Sequence, residues 1–194
     1  MQNIKNFRLV NPTEAQLLAF ANPVGERPLF LRSEDGQDWY ECQSLFADNT
    51  IKIMYDSNGV IQSVVDRPVP ERGNIYAVSM FFPDGLSVAE VEILPAGFEL
   101  SSDTWVYDGT TVYQDQKILA DKINSINTRE LYRRLALVSS YVWMLQSCAA
   151  EGVSKISDED TITVLQKYTV LLRSTDLTQY PDAFPSIPDV LHAT

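Results

Sequence analysis

The stretch TIKIMYDSNGVIQSVVD, residues 50–66, decides how the first half of this chain is read. Ile51, Ile53 and Tyr55 recur at every second position, the period of a strand with one face buried. Asn58-Gly59 then supplies the left-handed residues of a tight turn, and residues 60–65 return the chain with Val60, Ile61, Val64 and Val65. The stretch predicts a β-hairpin.

Its neighbours extend the pattern. Upstream, PLFLRSEDGQDWYEC (residues 28–42) has two strand-like runs around Glu34-Asp35-Gly36, and Asp-Gly is a strong turn signal. Downstream, RPVPERGN (67–74) is a charged, proline-rich connection. LSVAEVEIL (86–94) then places Leu86, Val88, Val91 and Ile93 as one or two further strands. A small antiparallel sheet with one polar face is expected. Residues 95–115 hold Trp105, Tyr107 and Tyr113 around a second Asp-Gly turn at Asp108-Gly109, which fits a short hairpin on a linker.

Beyond residue 116 the period changes. Leu131, Leu135, Val138, Val142, Leu145 and Ala149 step by 4, 3, 4, 3 and 4, which aligns them in one helical stripe. Asn127 with Glu130 three residues later resembles a capping box, so a helix start there is one reading. Leu119, Ile123 and Ile126 also fall at helical spacing but about 120° around the wheel from the later stripe. They imply either a break near residues 124–127 or one long helix with a second face. Gly152 ends this helix, and Ser157 with Asp158, Glu159 and Asp160 caps the next, whose stripe is Ile162, Leu165, Tyr168 and Leu172. The first helix, taken over 128–151, is about 36 Å long and the second, over 158–173, about 24 Å. Part of the longer stripe therefore lacks a partner inside the hairpin. In YTVLLR, Tyr168, Val170, Leu171 and Leu172 cover most of the circumference, more than one neighbouring helix can bury.

The predicted fold class is α+β. A small antiparallel β domain spans 1–97, a linker with a short hairpin spans 98–116, and a helical hairpin with a proline-rich tail spans 117–194. In that tail Pro181, Pro185 and Pro188 hold Tyr180, Phe184 and Ile187 extended, because a residue before proline avoids the helical region. Such a strip can pack along its own helices or on another protein.

Composition narrows the function. The chain has 194 residues, 45% hydrophobic and 21% charged, the balance of a globular protein. A formal net charge of −11 opposes nucleic acid and anionic membrane surfaces alike. The N-terminus lacks the basic stretch and apolar core of a signal peptide, and no apolar run approaches the ~20 residues of a membrane helix. Cys42 and Cys148 lie far apart in unlike contexts and read as two reduced thiols, so a reducing cytosol is the expected compartment. The single histidine, His192, sits near the C-terminus, which leaves Ser-His-Asp, Cys-His and zinc arrangements without a base or ligand. The acidic SDED (157–160) lacks the spacing of a calcium loop, and no glycine-rich phosphate loop is present. The chain is expected not to be an enzyme and to need no cofactor or metal. Trp39, Trp105 and nearby tyrosines are either core aromatics or a sugar-stacking surface.

With these elements placed, the sequence resembles the tail fibre assembly proteins of tailed phages and prophages. The blocks FLRSEDGQDWYE, TIKIMYDSNGVI, FFPDGLSVAEV, TWVYDGTTV and KYTVLLRSTD occur in the family's order, followed by a proline-rich end, from about residue 29 to residue 188. This chain departs from the usual pattern at Leu165, where members often have tryptophan. It departs again at Ser174-Thr175-Asp176, where they often read Arg-Val-Asp, and at Phe184-Pro185, where they have Trp-Pro. The resemblance implies a dedicated chaperone that binds the distal, C-terminal part of a trimeric tail fibre in the host cytoplasm. It also implies that some members stay on the fibre tip and contribute to recognition of host surface polysaccharide, and that neither cofactor nor nucleotide is used. Candidate contact residues are Tyr168, Leu171, Leu172 and Arg173 with Asp176, Tyr180, Phe184 and Pro185 of the tail. In the β half they are Trp39, Tyr40 and the turn Asp84-Gly85-Leu86. Packing inside the chain competes with a partner contact at each of them. Self-association of the free protein, hiding the stripe a client would cover, is a further expectation.

Overall fold

The structure is a computed structural model that describes residues 1–19, 29–66, 75–153, 157–179, 181 and 183–191, without the side chains of Ala19, Ser157 and Asp158. Pro28, the connection 67–74, Tyr180, His192 and the caps offered by Ser157 and Asp158 therefore lie outside what is described. Two compact units divide the chain, Met1–Asp115 and Gln116–Thr194.

The first unit contains β1 (Asn3–Ile4), β2 (Arg8–Val10), α1 (Glu14–Ala19), β3 (Phe30–Arg32), α2 (Trp39–Cys42), β4 (Ile51–Tyr55), β5 (Ile61–Val65), β6 (Ser87–Val91), β7 (Trp105–Tyr107) and β8 (Val112–Gln114). The expected hairpin is β4–β5, with Ile53 opposite Val64 and an irregularity between Met54 and Tyr55. Gly59 turns it with a φ of 84°. Strands β1, β6, β4 and β5 form one antiparallel sheet in that order.

Three features differ from the sequence expectation. The sheet has no polar face: all five residues of β6 are buried. Val88 and Met54 face a core with Ile4, Phe7, Leu31, Trp39, Phe46 and Phe81. Ala89, Val91 and Ile53 face a second core with Tyr55, Ile61, Trp105 and Tyr107. Even Lys52 is enclosed, its ammonium donating to the Ala47 and Thr50 carbonyls. Glu90, its neighbour across the ladder, accepts from the Gln2 and Ala47 amides and the Thr50 hydroxyl. A charge survives burial only when partners replace its water, and here the loop 47–50 supplies them.

Secondly, the run after Gly36 is not a strand. Asp38 makes one bridge to Arg32 and then caps α2, accepting from the Tyr40 and Glu41 amides. The cap overrides the strand preference of Trp39 and Tyr40. Strand β3 pairs instead with β2, from the N-terminus. Thirdly, β7–β8 is the expected hairpin, and it belongs to the first unit. Val60 bridges Val106, and the Tyr107 amide donates to Gly59 O at 2.8 Å.

The second unit is built on α3 (Gln116–Ala150) and α4 (Ser157–Arg173). The long helix is unbroken, so the helix start read at Asn127 is corrected. Asn127 is buried inside α3, and its side-chain amide donates to Leu177 O and Gln179 O, both at 2.8 Å. Two carbonyls beyond α4, not an N-terminus, are what this polar side chain serves. Gly152, with a φ of 75°, closes the helix as expected, with Val153 N bonding Cys148 O and Gly152 N bonding Ala149 O. Val138, Leu145, Leu165, Tyr168, Leu172 and Leu191 form the core between the helices and the chain end.

Candidate functional site

The end of α4 separates its apolar residues sharply. Leu165, Tyr168 and Leu172 recur at helical spacing and face α3, and Leu172 is 0% exposed. Leu171, one position away and so about 100° around the helix, is 54% exposed. Val170 and Val164 are exposed with it. Positions 164 and 171 are seven apart, about 20° on the wheel, so α4 has one buried stripe and an open apolar one beside it.

Helix α3 repeats the arrangement. Its stripe of Leu131, Leu135, Val138, Val142 and Leu145 belongs to the core. Tyr132 and Trp143 fall outside that stripe, and Trp143 is 70% exposed. They are eleven residues apart, which brings them to within about 20° of one another and about 16 Å apart along the axis. Sequence reading missed both. The available signal was their position one residue past a stripe position, together with size that no polar neighbour covers.

The tail residues fall in two groups. Phe184, Ile187, Val190 and Leu191 pack on the core of the two helices, so the described apolar positions of the tail lie on the protein's own helical unit. Arg134 organises this. Its guanidinium stacks 4.7 Å over the Phe184 ring, donates to the Tyr168 hydroxyl at 3.1 Å and to Pro185 O at 2.8 Å, and pairs with Glu130 at 2.6 Å. Tyr168, Leu172, Phe184 and Pro185 are thus brought together, while Leu171 and Arg173 face outward. Asp176 is exposed and closes a turn by accepting from the Thr178 amide and hydroxyl, which hold its carboxyl below the usual range.

Hydrogen bonds from Arg133, and then Arg134, depress Glu130 to about 2 from an ordinary 4.5. A lowered folded-state value means that this group contributes stability above the unfolded value and loses it as pH falls through the folded one. Glu130→Gln is therefore expected to lower the urea midpoint of the helical unit at neutral pH. The difference from wild type should hold down to about pH 4.5 and close as pH falls through about 2. A gap of equal size at pH 2 and at neutral pH would contradict this role.

In the β unit, Trp39 is 2% exposed, against Phe7. Tyr40 is exposed, its hydroxyl donating to Leu29 O at 3.0 Å. The Asp84-Gly85-Leu86 turn pairs with the N-terminal chain: Gly85 N bonds Phe7 O, Phe7 N bonds Leu86 O, and Asp84 accepts from Leu9 N at 3.3 Å. Trp105 is buried. Burial raises the Cys42 thiol to about 12, so it stays protonated. Among the described residues, no group of three or more His, Cys, Asp or Glu could hold a metal ion, and no helix is long and apolar enough to cross a membrane.

The chain is α+β, and its helical unit leaves apolar side chains open beside a closed core. Over residues 41–189 it matches the family described as Caudovirales tail fibre assembly protein, lambda gpK, and it belongs to that family. It is 26% identical to the tail fiber assembly protein U' of Escherichia phage Mu, over 97% of this chain and 100% of that protein. It is 25% identical to the protein of the same name from Escherichia phage P1, over the same shares. A probable tail fiber assembly protein of Escherichia phage P2 is 31% identical over 58% of each chain.

Proposed function

We propose that this chain is an assembly chaperone that binds the distal, C-terminal region of a phage tail fibre in the host cytoplasm and is required for the fibre to fold, trimerise and assemble. Family membership supports the fibre as client, and the open stripe of Val164 and Leu171 beside fully buried Leu172 carries the reading. A fibre tip exposes apolar surface and unpaired strand edges until its three chains register, which invites misassembly. A partner that covers those groups shifts the equilibrium by binding alone, without chemistry.

Co-expression with a candidate client tail fibre tests this. Soluble trimeric fibre is expected with the chain and not without it. Leu171→Asp, at an exposed position, should leave the unfolding free energy within about 0.5 kcal/mol of wild type while cutting the yield of soluble trimer several-fold. Equal yields of soluble trimer from fibre expressed alone would overturn the proposal.

A further inference from the structure

Two polar side chains of α3 stand in line with its apolar stripe. Arg134 is three residues beyond Leu131 and four before Val138, and Asn127 lies seven residues, about 10 Å of helix, before Arg134. Both reach backbone carbonyls of the chain beyond α4. Asn127 donates to Leu177 O and Gln179 O, and Arg134 to Pro185 O. Arg134 also lays its guanidinium over the Phe184 ring, while Ile187, Val190 and Leu191 pack on the apolar floor shared by α3 and α4. Residues 183–191, AFPSIPDVL, cross this floor with one 3-10 turn, Asp189–Leu191, as their regular structure. Grooves that hold proline-rich peptides work in this way, with side-chain donors on the carbonyls and rings and apolar side chains beneath the rest.

The surface beneath this segment is complete without it. Helices α3 and α4 pack directly on each other, and Glu130 pairs with Arg134 at 2.6 Å inside α3. Lifting Phe184 and Pro185 away therefore leaves no unbalanced buried charge, and water can replace Pro185 O at the guanidinium. Pro185 and Pro188 hold the segment extended whether seated or free, which lowers the entropy cost of seating it. We propose that residues 183–191 are a releasable strap, and that the groove they cover takes an extended segment of a partner protein with an aromatic residue before proline. The strap is then an intramolecular competitor. Tethered at an effective concentration on the order of millimolar, it closes the groove to weak ligands and yields to a better-fitting one. The proposal does not rest on the open stripe of Val164 and Leu171 or on the identity of the client.

Hydrogen exchange of the full chain and a fluorescence titration with synthetic peptides test this. The Leu191 amide, bonded to Pro188 O at 2.9 Å, should be at least about a hundredfold less protected than those of Val138 and Leu145, because it opens with the strap and not with the helices. Labelled AFPSIPDVL should bind the Phe184→Ala chain at least about tenfold more tightly than wild type, whose own strap competes. The peptide carrying Phe184→Trp should bind at least as well, since indole is the best ring for a guanidinium, and the peptide carrying Phe184→Ala should bind neither chain. The proposal fails if the parent peptide binds the two chains equally or not at all, if the Phe184→Ala peptide matches it, or if Leu191 exchanges only with global unfolding. Where the Phe184→Ala chain does not fold, wild type decides: millimolar parent peptide should speed Leu191 exchange by displacing the strap, and an unchanged rate overturns the proposal.

Discussion

Replacing Trp39 with alanine is expected to cost the β unit ~3–5 kcal/mol, the range for emptying a buried aromatic site. The indole stands edge-on to Phe7, with ring centroids 5.1 Å apart, among Ile4, Leu31, Phe46, Val78 and Phe81. It also begins α2 directly after its Asp38 cap, so the helix positions the ring and the ring anchors the helix to the sheet. The neighbourhood cannot collapse easily, because Phe7 is pinned on both sides by its bonds to Leu86 O and Gly85 N. Tyr40→Ala, one residue on, removes a partly exposed ring, its edge contact with Phe30 and a hydrogen bond to Leu29 O, and should cost about 1–2 kcal/mol. Hydrogen exchange of the β4 and β6 amides in the full chain reads both. A Trp39→Ala loss no larger than that of Tyr40→Ala would contradict the packing account.

That pair also marks where sequence reading stops. Alternation and Asn-Gly made the β4–β5 hairpin legible, and the 4-3-4 stripe made the helices legible, because both signals are local. The pairing of β2 with β3 and of β1 with β6 left no mark, since strands of two or three residues carry no period and their partners lie far along the chain. Period alone cannot reveal that β6 is covered on both faces, where Ser87 and Glu90 are as buried as Val88. Asn127 looked like a cap because three-residue spacing to a glutamate is common. Its partners, Leu177 O and Gln179 O, are about fifty residues away and invisible to a window. Within the candidate site, the excess of apolar surface in YTVLLR was readable. The spacing of Ile162, Leu165, Tyr168 and Leu172 also put Leu172, and not its neighbour Leu171, in the stripe that packs on α3.

Gly59→Ala is the other substitution expected to have a large effect, and its cause can be isolated. At φ 84° any side chain is strained, typically by ~1–2 kcal/mol. Here a Cβ would also stand 2.6 Å from Tyr107 O and 2.9 Å from Val106 Cγ1. The oxygen is backbone and cannot swing away, so β7 must move and the bond from Tyr107 N to Gly59 O must lengthen or break. Gly36 is the control, with φ 91° and open space around its Cβ position, so Gly36→Ala meets the conformational strain alone. Gly59→Ala should therefore lose roughly 2 kcal/mol more than Gly36→Ala, a net hydrogen bond of ~1 kcal/mol plus the displacement of packed strand. Equal losses would mean that the two hairpins do not bear on each other at this point. Because the same contact sets the two turns against one another, a Gly59→Ala protein that still folds should exchange its Tyr107 amide faster than wild type, while Gly36→Ala should leave that amide protected.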